Sequence, residues 1–176
     1  MAHSAASPRS KTRPSALARP EFKWEPFEEV LDELWPLLKR HYAEIGRHYE
    51  GAPLDPDFDR YFEYARAGLL RVWTARAPNG ALIGYIGCLV VHGLHAQSIL
   101  RCYADVIWLE PEWRDGLLGY RFIRSCLVAL KEIGVKVARW ETNDMFEPGE
   151  DGVSRVSVLL RRLRFAQIGT VFQRAL

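Results

Sequence analysis

The feature that most constrains the fold is an apolar strand that leads through a glycine-bearing turn into an amphipathic helix. Residues 99–109 are mostly apolar, which predicts a strand buried on both faces. A turn containing Gly116 and Gly119 follows, and apolar residues then recur at helical spacing as far as Gly134, a typical helix stop. Residues 135–140 predict another strand. Such a strand–helix–strand unit requires a sheet with helices packed against it.

The preceding residues predict a short strand and then helices. Residues 22–24 alternate between aromatic and polar side chains, as in a strand, and apolar residues recur at helical spacing over 27–45. Within that segment Pro36 is expected to kink the helix or to begin a second one. A further helix is predicted to begin at the N-cap and first-turn pair Asp55-Pro56 and to end at Gly68 in the left-handed conformation.

The rest of the chain continues this alternation of elements. A hairpin is predicted because the Pro-Asn-Gly sequence at 78–80 is a strong turn signal between two apolar stretches. The predicted elements are strands at 69–75, 81–91, 99–109, 135–140 and 165–174, a loop at 92–97, an acidic loop at 142–152, and a last helix from its cap Ser154 to Arg164.

Together these elements predict one α/β domain, residues 21–176, with a mixed and mostly antiparallel sheet and helices on both faces. A chain of 176 residues is long enough for one domain and too short for two full ones. Residues 1–20 are basic, contain no acid and are rich in Ser, Ala and Pro, which predicts a disordered tail. This tail is either solvated or an arm that contacts phosphate or an assembly partner.

Composition argues against several classes of protein. The formal net charge is only +2, so nucleic acid is not an expected partner. No apolar run reaches the roughly 18 residues of a membrane span and no signal-peptide pattern is present, which predicts a cytoplasmic protein without membrane contact. Cys88, Cys102 and Cys126 lack paired spacing and are expected to be buried, reduced thiols. His92 and His95 have no neighbouring ligand in the sequence, so no metal is expected.

The turn after the long strand has the properties of a diphosphate site. A helix N-terminus presents N–H groups without intrahelical partners and the positive end of the helix dipole. Glycines such as Gly116 and Gly119 allow a phosphate to approach the backbone closely. The strand before the turn and the helix after it supply the context that a lone glycine turn lacks.

A known sequence pattern surrounds this turn. The chain reads Leu109-Glu110-Pro111-Glu112-Trp113-Arg114, followed by Asp115-Gly116-Leu117-Leu118-Gly119. It resembles the GNAT superfamily of acetyl-CoA-dependent N-acetyltransferases, in which a Pro-acid-aromatic-Arg sequence precedes Arg/Gln-Gly-x-Gly-x-Gly/Ala at the start of a helix. Arg114 and Gly119 match that pattern, whereas Asp115 and Leu117 replace two of its glycines.

Other parts of the chain share the resemblance. The segment at 159–165 is similar to the Leu-Tyr-x-x-Leu-Gly-Phe junction near the end of family members, with Leu160 in place of the Tyr and Arg164 in place of the Gly. Asn143 matches a common family position near the pantetheine arm. In the N-terminal half, the sequences at 41–45, 54–57 and 103–106 resemble GNAT-like proteins that bacteriophages often encode.

The resemblance implies a mode of binding for the co-substrate acetyl-CoA. In the family it lies in a splay between the fourth and fifth strands, and no metal is implied. Carried over, the backbone of Ile107 and Leu109 would contact the pantetheine arm, together with Asn143. The residues that would hold the diphosphate are Arg114, Asp115, Gly116, Leu117, Leu118 and Gly119.

The resemblance also implies that an amine attacks the thioester directly, without a covalent enzyme intermediate. Candidate general bases are Asp105, on an apolar strand where burial would raise its pKa, and Glu110, where that strand ends. The simpler alternatives are a paired structural carboxylate for Asp105 and a solvated strand end for Glu110. Leu160 cannot protonate the leaving thiolate as the family's Tyr does, although water can.

Two functions therefore stay open. The first is an N-acetyltransferase acting on a small-molecule or protein amine, which the first helices and the loops would select. The second is a catalytically weakened protein of the same fold that serves as a phage virion-associated structural or binding component. In that case the basic tail would contact the virion or other copies of the chain, and the protein would occupy the host cytoplasm or the virion.

Overall fold

A computed structural model describes residues 19–45, 52–142 and 154–169. The strands are β1 Glu21–Glu25, β2 Leu70–Arg76, β3 Leu82–Gly93, β4 Ala96–Leu109 and β5 Val137–Trp140. The helices are α1 Phe27–Ile45, α2 Phe58–Arg66, α3 Leu118–Glu132 and α4 Arg155–Arg162.

The strands form one five-stranded sheet in the order β1-β2-β3-β4-β5. Neighbours from β1 to β4 are antiparallel, and β4 and β5 are parallel. This confirms the mixed, mostly antiparallel sheet. The loop predicted at 92–97 is wrong in extent, because Gly93 already pairs with Ala96 and only Leu94 and His95 form the turn.

Helices cover both faces of the sheet, as predicted. On one face α1 buries Phe27, Val30 and Leu34 against Tyr85 and Trp108 of the sheet. On the other face α3 buries an apolar stripe that includes Phe122, Ile123, Cys126 and Leu130. The three cysteines are free thiols that are fully buried within this second layer, in agreement with the sequence. Each helix follows its own 3.6-residue apolar stripe, which fixes the face it turns to the sheet.

Helix ends agree with the sequence less closely. Pro36 lies inside α1, which runs as one helix, so the alternative of a second helix beginning there is wrong. The N-cap of α2 is Asp57, whose carboxylate accepts a hydrogen bond from the Arg60 N–H at 3.1 Å, and not Asp55. Gly68 does end the α2 segment with a left-handed φ of 71°.

The last described segment departs from the prediction at its end. Ser154 caps α4 as expected, accepting a hydrogen bond from the Ser157 N–H at 3.1 Å. A strand was expected at 165–174, but residues 165–169 are not in a strand and the remainder lies outside the described residues. Phe165 instead packs its ring against Trp140, with the ring centroids 5.6 Å apart.

Candidate acetyl-CoA site

The pairing of the parallel strands β4 and β5, at one side of the described sheet, ends before β4 does. They pair only from Arg101 opposite Val137 to Ala104 opposite Trp140, where β5 ends. β4 continues through residues 105–109, whose other edge pairs with β3. Within the described part of the chain, this stretch of β4 therefore has one edge without a strand partner. An unpaired edge offers backbone N–H and C=O groups to a ligand.

The turn after β4 leads into α3, whose N-terminus has no side-chain cap. One 3₁₀ turn at Pro111–Trp113 leads to Gly116, whose φ of 76° requires the freedom of glycine, and then to Leu117 at the N-cap of α3. Leucine cannot cap a helix, and no described side chain caps this one. The first N–H groups of α3 thus have no intrahelical partners. Because Asp115, Gly116 and Leu117 are exposed, this helix end is open to an anion from solvent.

Gly119 has a packing role in the same turn. A Cβ atom at this position would lie 3.2 Å from Cδ1 of Leu159 and 4.0 Å from Cδ1 of Leu109. The glycine therefore allows the first turn of α3 to approach α4 and the end of β4 closely. Close packing against α4 and β4 is thus a structural reason for glycine at this position of the family pattern.

Asp105 lies where β4 bulges. Gly87 pairs with Val106 and Cys88 with Ala104, so Asp105 is the extra residue of the bulge. Asp105 is exposed, yet partial desolvation by its surroundings raises its pKa, and repulsion from Glu141 raises it further. Among the described residues, Asp105 has neither a hydrogen-bond partner nor an ion pair, so the paired structural carboxylate is not observed.

Glu110 does not join Asp105. The two residues are separated by the end of an extended strand, which places their Cα atoms on the order of 16 Å apart. The Glu110 carboxylate, largely shielded from solvent, forms an ion pair with Arg40 of α1, and its N–H donates to the Ile83 carbonyl at 2.8 Å. The solvated strand end expected as the simpler alternative is therefore not what the structure shows.

Arg114 contacts α1. Its Nη1 and Nη2 donate to the two carboxylate oxygens of Glu44 at 2.5 and 2.6 Å, and its Nε donates to the Leu109 carbonyl at 2.8 Å. The guanidinium also lies 5.5 Å from the centroid of the Trp108 ring. These hydrogen bonds hold the pKa of Glu44 below its ordinary value of 4.5.

A buried polar cluster under the end of β4 escaped the sequence reasoning. His41 is 8% exposed, its Nδ1 lies 2.7 Å from the Tyr85 hydroxyl, and its ring stacks on Trp108. Trp108 in turn donates from Nε1 to Glu44 at 3.0 Å. Burial lowers the pKa of His41 from 6.5 to about 4, so it is neutral at pH 7. The available signal was that His41 and Glu44, one turn apart, interrupt the apolar stripe of α1.

The remaining predicted residues either lie outside the described ranges or take no part in the site. Asn143, residues 143–152 of the acidic loop predicted at 142–152, and residues 1–18 lie outside the described residues. Leu160 is buried in α4, as an apolar side chain in place of Tyr should be. His92 binds the Gln97 carbonyl through Nδ1 at 2.6 Å, and no group of three or more His, Cys, Asp or Glu in the described chain could hold a metal. Over those same ranges, no helix combines the length and apolarity needed to span a membrane.

Solved structures share this architecture. A predicted acetyltransferase from Clostridium acetobutylicum, solved with acetyl-CoA, matches with a TM-score of 0.61 at 13% identity, over 89% of this chain and 96% of that chain. The aminoglycoside N-acetyltransferase AAC(6')-Iy, in complex with a bisubstrate analogue, gives a TM-score of 0.64 at 16% identity, over 89% and 98% of the two chains. A ribosomal-protein-alanine N-acetyltransferase from Brucella melitensis biovar Abortus 2308 gives 0.62 at 13%, over 89% and 99%.

These matches, together with the mixed sheet and its parallel β4–β5 pair, show that the chain has the GNAT fold. No family model matches the sequence, and no curated protein matches it either. At such low identity the likeness concerns the fold and leaves the acceptor open. The three structures are acetyltransferases, so they carry no argument for a phage or virion role, which stays a prediction.

Proposed function

We propose that this protein is an acetyl-CoA-dependent N-acetyltransferase that acts on an amine by direct attack in a ternary complex. The observation that carries the proposal is the unpaired edge of β4 at residues 105–109, which leads into the uncapped N-terminus of α3. The backbone at Ile107 would bind the pantetheine arm, and the N–H groups of residues 116–119 would bind the diphosphate. The Leu109 N–H remains a candidate contact, since the Leu109 carbonyl already accepts from Arg114.

Asp105 is the proposed general base. It stands at the bulge, as the first residue of the unpaired stretch, and its carboxylate has no partner within the described chain. The raised pKa of Asp105 makes its carboxylate a better proton acceptor. Glu141, just beyond β5, would add negative charge that attracts a cationic amine. The proton of the attacking amine then passes to Asp105 as the C–N bond forms and the C–S bond breaks.

The buried Leu160 favours a second candidate, a GNAT-fold protein that binds acetyl-CoA without efficient transfer. The leaving thiolate finds no hydroxyl at this position, so its proton must come from water. A thiolate is a good leaving group, and the first candidate therefore does not require a protein acid. Release of free CoA thiol separates the two.

The test is thiol release with acetyl-CoA and a panel of polyamines, aminoglycosides and N-terminal peptides. Asp105→Asn should lower kcat about 10²- to 10⁴-fold for the accepted amine with little change in acetyl-CoA affinity. The wild-type rate should rise with pH through a pKa above the ordinary Asp value of 3.8. Asp32→Asn is the matched control, because Asp32 is an exposed residue of α1 outside the proposed acetyl-CoA site and proton path. Acetyl-CoA binding without thiol release for any amine would favour the second candidate.

A further inference from the structure

The ion pair between α1 and the turn after β4 suggests a role for Arg114 that the family pattern does not supply. We infer that Arg114 is a positioning residue that fastens the turn to Glu44 of α1, and that it is not a ligand of the diphosphate. This inference rests on the proposed function, because it concerns how the acetyl-CoA turn is held.

The geometry around the guanidinium is closed on the α1 side. Both terminal nitrogens of Arg114 bind the Glu44 carboxylate in a bidentate pair, and Nε binds the Leu109 carbonyl. The ring of Trp108 lies against the guanidinium and donates its own N–H to Glu44. A planar fork of this kind fixes the orientation of the side chain as well as its charge. Arg114 and Glu44 are each about 30% exposed, with side-chain values of 29% and 30%.

A phosphate that took over the N–H groups by which Arg114 binds Glu44 and Leu109 would break this arrangement. The guanidinium would give up three hydrogen bonds, and the Glu44 carboxylate would lose its charged partner and keep the hydrogen bond from Trp108. The N–H groups at the start of α3 can accept the diphosphate without any such loss. The cheaper arrangement therefore leaves Arg114 on Glu44 when acetyl-CoA binds.

A second ion pair reinforces the same junction. Arg40, one turn before Glu44 on α1, binds Glu110 and lies 5.8 Å from the centroid of the Trp108 ring, on which His41 stacks. The last two turns of α1 are thus joined to the residues on either side of the 3₁₀ turn, Glu110 and Arg114. We therefore expect this junction to couple the order of the last two turns of α1 to binding at the proposed acetyl-CoA turn.

The two roles of Arg114 predict opposite effects for Glu44→Gln. If Arg114 is a positioning residue, Glu44→Gln and Arg114→Gln should each weaken acetyl-CoA binding by about five- to twentyfold. The double variant should be no weaker than either single variant, because both remove one shared interaction. If Arg114 instead binds the diphosphate, Glu44→Gln frees the guanidinium and binding should tighten or stay the same, while Arg114→Gln weakens it equally in both backgrounds.

The experiment is calorimetric titration of acetyl-CoA into the wild type and the three variants, with amide hydrogen exchange of residues 41–45. Acetyl-CoA should slow amide exchange at residues 41–45 in the wild type and not in Glu44→Gln. A general loss of stability would not by itself remove this ligand-dependent protection. Unchanged or tighter binding by Glu44→Gln overturns the inference alone, and should Arg114→Gln fail to fold, this sign still decides. Absence of binding by the wild type overturns the proposed function and the inference with it.

Discussion

At the scale of the residue, the protein holds a histidine neutral beneath the end of β4. Burial lowers the pKa of His41 from 6.5 to about 4, with Glu44 opposing the shift and Arg114 adding to it. Between these two values the unfolded chain binds more protons than the folded one, so the free energy of unfolding must fall as the pH falls. A depression of this size corresponds to about 3 kcal/mol.

Urea unfolding at a series of pH values between 7 and 4 measures this loss. We expect the wild type to lose on the order of 2–3 kcal/mol across that range from His41, in addition to any common acid effect. His41→Asn keeps a polar group opposite the Tyr85 hydroxyl but does not titrate, so its stability should depend less on pH. Parallel curves for the two proteins would mean that His41 is protonated without penalty in the folded state.

Arg164 shows the same kind of residue-level cost in the backbone. It is the one non-glycine residue with positive φ in the described chain, at 65°, and it stands where the family pattern has glycine. A non-glycine residue in the left-handed region destabilises the folded chain by roughly 1–2 kcal/mol. Glycine would remove this cost, but about half of the gain would be lost because glycine has more conformational entropy in the unfolded chain.

Arg164→Gly should therefore raise the free energy of unfolding by about 0.5–1 kcal/mol. Arg161→Gly is the matched control, since it makes the same change at an exposed position inside α4 and should lower stability by about 1 kcal/mol. Chemical denaturation of the three proteins measures both differences. Destabilisation by both glycines to the same degree would show that Arg164 gains more from its contacts than its backbone conformation loses.

At the scale of the element, an ion network fastens α1 to the sheet edge. Arg76 of β2 binds Glu25 of β1 through Nε and Nη2 at 2.8 and 3.0 Å, and binds Glu33 of α1 through both terminal nitrogens. The side chains of Arg76 and Glu25 are only 14% and 15% exposed, whereas that of Glu33 is 49% exposed. The Thr74 hydroxyl donates a further hydrogen bond to Glu25 at 2.5 Å.

This difference in exposure predicts unequal effects of the same substitution. Glu25→Gln removes the shielded partner of Arg76 and should lower the free energy of unfolding by about 2 kcal/mol or more. Glu33→Gln removes the exposed partner and should cost less than about 1 kcal/mol. Thermal unfolding in low and high salt measures both, and the smaller effect should also be the more salt-sensitive. Equal losses would argue that α1 and β1 share the network evenly.

Element by element, the sequence predicted what local chemistry determines. Residue type and spacing predict three features that the structure has. They are the apolar strand that ends at Leu109, the helix cap Ser154 and the left-handed Gly68. The cap of α2 and the length of the β3–β4 hairpin depend on competition between adjacent turn residues, which spacing alone cannot decide. The contact of Arg114 with Glu44 depends on packing of α1 against β4 across seventy positions of sequence, so no local pattern could reveal it.

At the scale of the whole molecule, the proposed function depends on the part of β4 that extends beyond the end of β5. The fold could be predicted because the order of elements and the family pattern agree, and the solved acetyltransferases share it. The acceptor could not be predicted, because its selection would depend on how the side chains of the first helices and the loops are arranged in space, and no local sequence pattern specifies that arrangement. The central claim is that the edge of β4 and the start of α3 together receive acetyl-CoA.

Residue-resolved amide hydrogen exchange with and without saturating acetyl-CoA tests that claim most directly. We expect slower exchange at residues 105–109 of β4 and 116–120 at the start of α3, with the paired strands β1 and β2 unaffected. Saturation at about a hundred times Kd should also add roughly 2.7 kcal/mol to the free energy of unfolding. Unchanged exchange at both segments under millimolar acetyl-CoA, or protection confined to another face of the sheet, would contradict it.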